Sequence, residues 1–346
     1  MCLRPRFFVF VTIAAVLALP GSAGAKKRKA GRQAEVESTE SLPAVLWRNP
    51  TDIQSRNLFF GPGGKEHQPP DGPFTFVKED LDGSNPKFVV RDQNGMKWKV
   101  KLGEEARPET VASRLVWAAG YFTDEDYFLE DLRVERMPAH LHRGQKLVDP
   151  DGSVHTVRLK RELKDEEKAG SWKWRRDPFT GTPELNGLKV MMALINNWDL
   201  KDENNKIYLG ESDSGDGQRL YLVSDLGSSF GTAGPSWPHS KAKGNLQSYA
   251  RSEFIRRVTG EYVDFQEPAR PSYQYLLNLP EYFRRRELRW IGRRIPRSDA
   301  RRIGQLLAQL SPDQIQDAFR AAGYSTEEVA GFTAVVEQRV AALKAL

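Results

Sequence analysis

The sequence is almost without cysteine: its single one, Cys2, stands ahead of the first apolar run. Everything after that run therefore lacks a disulfide framework and a thiolate nucleophile, and the fold has to rest on core packing. Histidine is scarce as well, with five in 346 residues. His140 and His142 stand two apart and would share one face of a strand, but no third ligand lies near them. His239 falls in a loop near Trp237, so surface or loop roles suit the histidines better than a zinc site. There is no G-x-x-x-x-G-K-[ST] phosphate loop and no G-x-S-x-G elbow, which argues against a P-loop nucleotidase and a hydrolase of the elbow class. Zinc-finger spacing and an aromatic-rich RNA-binding signature are missing too, so nucleic acid is not an expected partner. No apolar run reaches the roughly 20 residues of a comfortable membrane span.

What is present is a chain of ordinary soluble composition, 39% hydrophobic and 28% charged, long enough for one large or two smaller domains. The formal charge is +6, with arginines densest at Arg256 and Arg257, at 284–286, and at Arg293 and Arg294. Such clusters can face phosphate, an acidic polymer or a membrane surface, or can simply be solvated helix faces, the reading preferred here. Arg4 and Arg6 precede an apolar run from Phe7 to Leu19, followed by Pro20 and small residues to Ala25. That is the order of a secretory signal peptide over 1–25, and it predicts an exported protein, periplasmic or secreted. Retention of the segment as an anchor is the alternative. Residues 26–73 read as a disordered linker followed by an irregular Pro- and Gly-rich arm, docked by Trp47, Phe59 and Phe60.

Regular structure is expected from residue 74. Strands are predicted at 74–78, 87–91 and 97–102, the last two joined across Asn94-Gly95, a strong hairpin signal. Pro108 opens a helix that Gly120 closes, and 127–137 reads as one or two further strands. Thr182-Pro183 starts a second helix, which Asn196-Asn197 ends. Short strands follow at 206–209 and 219–223. From about residue 247 the periodicity is mostly helical, with capping boxes at Ser311 and Ser325. The expectation is a strand-rich N-lobe over 74–150 and a helical C-lobe over 151–346.

Several polar residues stand at ordered places on these elements. Lys101 lies near a strand end in a Val-Lys-Leu setting, and Glu109 in the first turn of the next helix. Asp199-Leu-Lys-Asp-Glu-Asn204 follows a buried helix, and Asp225-Leu-Gly227 follows a strand. Taken singly, each has an ordinary reading. Lys97, Lys99 and Lys101 share one strand face, and Glu109 competes with Glu104 and Glu105 as simple compensation of the helix dipole. The aspartates and asparagines are common turn residues. Their joint order is what carries meaning.

On these residues the sequence resembles the protein-kinase-like superfamily. The stretch 199–204 looks like the catalytic loop D-L-K-x-E-N, without the preceding His-Arg, and 225–227 looks like D-F-G. The short spacing from Lys101 to Glu109 and the asparagines before Asp199 are more similar to the atypical branch, which includes HipA-like kinases, phosphatidylinositol kinases and secretory-pathway kinases. The resemblance covers about 74–232 and implies a two-lobed α+β kinase-like fold that uses ATP and Mg2+. It implies that Lys101 contacts the nucleotide phosphates, with Glu109 orienting it. Asp199 would take the proton of an acceptor hydroxyl, Lys201 would neutralise the transferring phosphoryl, and Asn204 and Asp225 would bind Mg2+. No G-x-G-x-x-G lies over the phosphates; Gly83 and Ser84, in the first hairpin turn, are the candidates to offer backbone N–H groups instead. The acceptor would be a hydroxyl of a protein, sugar or lipid, with the basic clusters favouring an anionic one and leaving room for peripheral envelope association. A kinase fold that binds without catalysing is the other reading, since ATP is scarce outside the cytoplasm.

Overall fold

Two apolar cores form, one inside a small barrel of strands and one among the helices. The structure is a computed structural model and describes residues 41–83, 85–162, 168–212, 214–231, 243–266 and 279–346. The leader expected at 1–25, the linker to residue 40, and Ser84, Trp237 and His239 lie outside the described residues.

After the two-residue strand β1 (Ala44–Val45) the chain runs as an irregular arm, as its proline and glycine content predicts. Trp47 docks it, with the indole Nε1–H donating to the Ala119 carbonyl at 2.7 Å. Phe59 was expected to dock by its ring and does not. That ring stays exposed, and the segment is held by its backbone: the Phe59 carbonyl accepts from Arg114 Nη2 at 3.2 Å.

Five strands make the N-lobe: β2 (Phe74–Asp80), β3 (Lys87–Asp92), β4 (Lys97–Leu102), β5 (Asp126–Glu135) and β6 (Ser153–Glu162). Their spatial order is β2-β3-β4-β6-β5, and parallel pairing of β5 with β2 closes the barrel. The hairpin predicted at Asn94-Gly95 forms. Gly95 takes a φ of 82°, and the Asp92 carboxylate accepts from the amides of Asn94 and Met96 at 2.9 Å each. Between β4 and β5 runs helix α1 (Ala106–Ala118), which packs on β5 and β6.

The barrel runs past residue 150, because β6 pairs antiparallel with both β4 and β5 and completes it. Charge hides this strand in the sequence. Val154, Val157 and Leu159 are its buried apolar residues, and Thr156, with a left-handed φ of 54°, stands where the two-residue period breaks.

The C-lobe follows with β7 (Lys168–Gly170), α2 (Pro183–Leu194), β8 (Asn205–Glu211), β9 (Gly217–Val223) and α3 (Leu246–Arg251). Then come β10 (Ile255–Val258), β11 (Tyr262–Phe265), α4 (Leu279–Glu287), β12 (Ile295–Pro296), α5 (Arg297–Leu307), α6 (Pro312–Arg320) and α7 (Thr326–Lys344). A helical reading from residue 247 misses β10, β11 and β12, which form a three-stranded antiparallel sheet. Alternation at Tyr262–Phe265, with Val263 and Phe265 buried, is the strand signal there. Ser311 and Ser325 close reciprocal capping boxes with Gln314 and Glu328, each cap contributing about 1 kcal/mol. The resulting architecture is α+β in two lobes.

Candidate active site

Lys101 is the last but one residue of β4, on the face opposite Trp98, Val100 and Leu102 of the barrel core, and is 3% exposed. Its Nζ lies 2.7 Å from Glu109 Oε2, 2.5 Å from Asp225 Oδ1 and 3.1 Å from Glu105 Oε2. One ammonium thus gathers carboxylates from the residue that precedes α1, from the first turn of α1, and from the turn after β9. Burial alone would lower its pKa, but Glu109, Asp225 and Glu105 together raise it above the ordinary lysine value. Its neighbour Lys99 leads elsewhere, to Asp80 at 3.0 Å. Geometry therefore separates two lysines that share a strand face.

Around this node the charges continue to alternate. Arg158 of β6 reaches Glu109 Oε1 at 2.9 Å and Asp126 Oδ1 at 3.3 Å, both buried. Glu105 is also bonded by Lys243 and by the Asn85 amide. Burial opposes ionisation of Glu105, yet Lys101 and Lys243 hold its pKa down to about 2. Asp126 goes the other way, to about 7, pushed up first by burial and then by Glu109 and Asp124 against the pull of Arg158.

The second half of the site hangs from the end of α2. Thr182 caps that helix, its Oγ1 accepting from the Leu185 amide at 3.3 Å. At the other end Asn196 takes a left-handed φ of 57°, which asparagine tolerates better than most residues. The Asn197 side chain accepts from the Asp199 amide at 2.9 Å, and Asn204 Nδ2 donates to the Asp199 carbonyl at 2.7 Å. These two amides set the loop that carries Asp199, while Lys201 Nζ stands 3.1 Å from Asp199 Oδ1. The loop is laced to the turn after β9: Trp198 N–H donates to the Ser228 carbonyl at 3.3 Å, and Ser224 N–H to the Asn204 carbonyl at 2.9 Å. Asp225 itself has a left-handed φ of 60°, strained for a residue with a side chain. Gly227 allows close approach, because a β-carbon there would lie 2.6 Å from Glu105 Cβ. Beyond it, Phe230 packs edge-on against Phe319 and Phe332 in the helical core, anchoring the turn.

Gly83 does not join this cluster directly. It sits exposed at the β2–β3 turn with φ of 65°, and its carbonyl is held by Arg143, which also takes the Asp80 carbonyl at 2.8 Å. Lys87 links the two regions: it stands opposite Lys101 in the β3–β4 register, and its Nζ lies 3.6 Å from where a Gly83 β-carbon would be. The expected partner of Gly83, Ser84, is outside the described residues.

No family model matches the chain, and no curated protein matches it. Among solved structures it is similar to the Helicobacter pylori proinflammatory kinase CtkA, at 10% identity and a TM-score of 0.39, over 78% of this chain and 93% of that one. It is similar also to the Rio2 kinase of Chaetomium thermophilum in a complex with ADP, Mg2+ and phosphoaspartate, at 10% identity and a TM-score of 0.29, over 93% and 87% of the two chains. A Golgi casein kinase, solved also with manganese and ADP, gives 11% identity and a TM-score of 0.29, over 96% and 95%. At such distance these likenesses weigh little beside the geometry. A strand lysine ion-paired both to a glutamate of the next helix and to the aspartate of an Asp-x-Gly turn is the arrangement that the resemblance in the sequence implies.

Around the Lys101 node stand several charged residues that no sequence motif marks. Glu105 was visible only as a rival of Glu109, although its place four residues after Lys101 is a pairing distance once the strand turns into the helix. Arg158 lay in an unrecognised strand, and Lys243 and Lys87 carried no motif. Glu105, Glu109 and Asp225 bring carboxylate oxygens within 4.8 Å of one another. Asn204 spends its Nδ2 on the loop backbone, which leaves Oδ1 as the donor of that side chain. Carboxylate and amide oxygens of this kind suit a hard divalent cation such as Mg2+.

Proposed function

We propose that this protein is an ATP-dependent phosphotransferase that acts on a hydroxyl acceptor outside the cytoplasm. The observation that carries the reading is the Lys101 node, which binds β4, α1 and the Asp225 turn through one buried ammonium. Buried ion clusters are weak sources of stability, because desolvation offsets much of their attraction. Here the Asp225 carboxylate at the edge of the cluster is 41% exposed, and a charged cluster that solvent can reach is more readily understood as a phosphate site. Lys101 offers its charge to the nucleotide phosphates, and Glu109 and Arg158 fix its position. Asp199 accepts the proton of the acceptor hydroxyl as the new O–P bond forms and the bond to the leaving ADP breaks. Lys201, beside Asp199, offsets charge on the transferring group. Asp225 and Asn204 would hold a divalent cation, which would supply further neutralisation of phosphate charge.

The test is thermal stabilisation by Mg2+-ATP, followed by transfer of labelled phosphate to a mixed panel of hydroxyl acceptors. Asp199→Asn should keep the stabilisation and lower transfer by about 10²–10⁴-fold, the usual weight of a positioned base. Absence of stabilisation by any nucleotide at millimolar concentration would sink the reading. Stabilisation without transfer would favour a binding module, a reading helped by the first hairpin, where Arg143 holds the carbonyls that a glycine-rich loop would leave mobile.

Export belongs to the same proposal and rests on the leader pattern over residues 4–25. Peripheral attachment to the envelope goes with it; among the described residues no helix is long and apolar enough to cross a membrane. N-terminal sequencing checks this: a mature chain beginning near residue 26 supports export, and an intact Met1 on protein confined to the cytoplasm refutes it.

A further inference from the structure

The two arginine pairs of the C-lobe, all four residues exposed, do not lie on helix faces. Arg256 and Arg257 lie on β10, and Arg293 and Arg294 in the turn before β12. Consecutive residues of a regular strand point to opposite faces, yet both members of each pair line one cavity of about 860 Å3. An irregularity accounts for each. The β10–β11 register slips between Ile255 and Arg257, leaving Arg256 as the extra residue of a bulge. Arg294 takes a left-handed φ of 51°, which residues with side chains rarely adopt.

Lys189 adds a fifth cation to this cavity, against one carboxylate among the described lining residues, Asp264. That carboxylate is already used, by Arg257 Nη2 at 2.9 Å and by the Arg294 amide at 2.8 Å. Trp290 forms part of the wall, with the Lys189 ammonium 5.2 Å and the Arg175 guanidinium 4.4 Å from its ring centroid. The same Trp290 also lines a second cavity of about 570 Å3, together with Arg175, Arg176, Arg284 and, from the loop that carries Asp199, Lys201 and Asp202. Two concave, mainly cationic cavities thus meet at one indole, and the second opens on the loop expected to receive the acceptor hydroxyl.

We propose that this paired cavity binds an acidic peptide segment, seating carboxylate side chains against Arg256 and Arg293 while the hydroxyl to be phosphorylated lies toward Asp199; the acceptor role rests on the phosphotransferase reading above. Charge complementarity selects the anion, and concavity selects a segment that enters over a flat anionic bilayer. Lys201 then borders both the reacting group and the binding surface.

The experiment uses the full chain and a fluorescein-labelled peptide with one serine flanked by glutamates, read by anisotropy. Binding should weaken at least about tenfold in Arg256→Glu/Arg293→Glu, as expected when like charges are set against each other. In the transfer assay the same variant should raise KM for the peptide with kcat unchanged, and stabilisation by Mg2+-ATP should not move. If the charge reversal lowers the melting temperature, Arg256→Gln/Arg293→Gln is read by the same criteria. Equal peptide affinity in wild type and variant overturns the proposal. So does arginine-dependent pelleting with phosphatidylglycerol vesicles that the peptide fails to compete, which assigns the surface to membrane. A chain that takes no nucleotide but still binds the peptide through these arginines keeps the site and loses the phosphotransferase reading.

Discussion

Asp126 and Glu105 belong to one buried network but titrate in opposite directions. Asp126 is pushed up to about 7, mainly by burial, whereas an aspartate in an unfolded chain titrates near about 3.9. The folded state therefore holds an extra proton between those values. The stability linked to this group is fully present below the unfolded pKa and is lost as pH rises through the folded one. Glu105, held down to about 2 by Lys101 and Lys243 against burial, does the reverse. Its contribution is present above the unfolded glutamate pKa and is lost as pH falls toward the folded value. Stability should therefore peak in the mildly acidic range. Thermal melts of wild type should show a declining midpoint from about pH 5 to about pH 7.5, and Asp126→Asn should flatten that decline. A wild-type midpoint that is level over the range would mean that Asp126 is ionised in the fold.

At the scale of elements, the site depends on how closely the Asp225 turn approaches the start of α1. Gly227 makes that approach possible, and a methyl group there meets Glu105 Cβ at 2.6 Å, well inside contact distance. Gly227→Ala should cost about 1–3 kcal/mol, the range for overpacking a tight contact, and should shrink the nucleotide-induced thermal shift. Urea denaturation with and without Mg2+-ATP checks both, and an unchanged shift would separate the turn from nucleotide binding. Elements of this kind differ in how far the sequence reveals them. Helix α2 could be read from Thr182, Pro183 and its apolar face, because caps and periodicity are local. Strand β6 could not, because Arg158, Lys160 and Arg161 interrupt its apolar pattern and their partners lie on other elements. The β10–β12 sheet was missed for a related reason: its strands are short, and the bulge at Arg256 breaks the period that would mark one.

Across the whole molecule, the Lys101–Asp225 contact ties the N-lobe barrel to the turn that the helical core anchors through Phe230. Lys101→Met leaves Glu105, Glu109 and Asp225 clustered without their shared cation and should destabilise the chain by about 3–5 kcal/mol, as for other broken buried pairs. Asp225→Asn should cost less, since Lys101 keeps two carboxylates. The double variant should show a coupling of about 0.5–3 kcal/mol between the two positions, measured by chemical denaturation. Additive effects would mean that the contact does not join the lobes energetically.

The sequence alone determined the features that are short-range. The hairpin at Asn94-Gly95, the helix caps, the loop 199–204 and the turn 225–227 each carry their chemistry within a few residues, where local geometry and local spacing coincide. Tertiary structure decided which of Lys99 and Lys101 is buried, that Glu105 shares Lys101 with Glu109, and that Arg158 completes the network. It also turned two arginine pairs into the lining of one cavity. Those outcomes depend on barrel closure, on a bulge and on backbone strain, which bring together charges distant in the chain, such as Glu109 and Arg158 at 49 residues or Lys101 and Asp225 at 124.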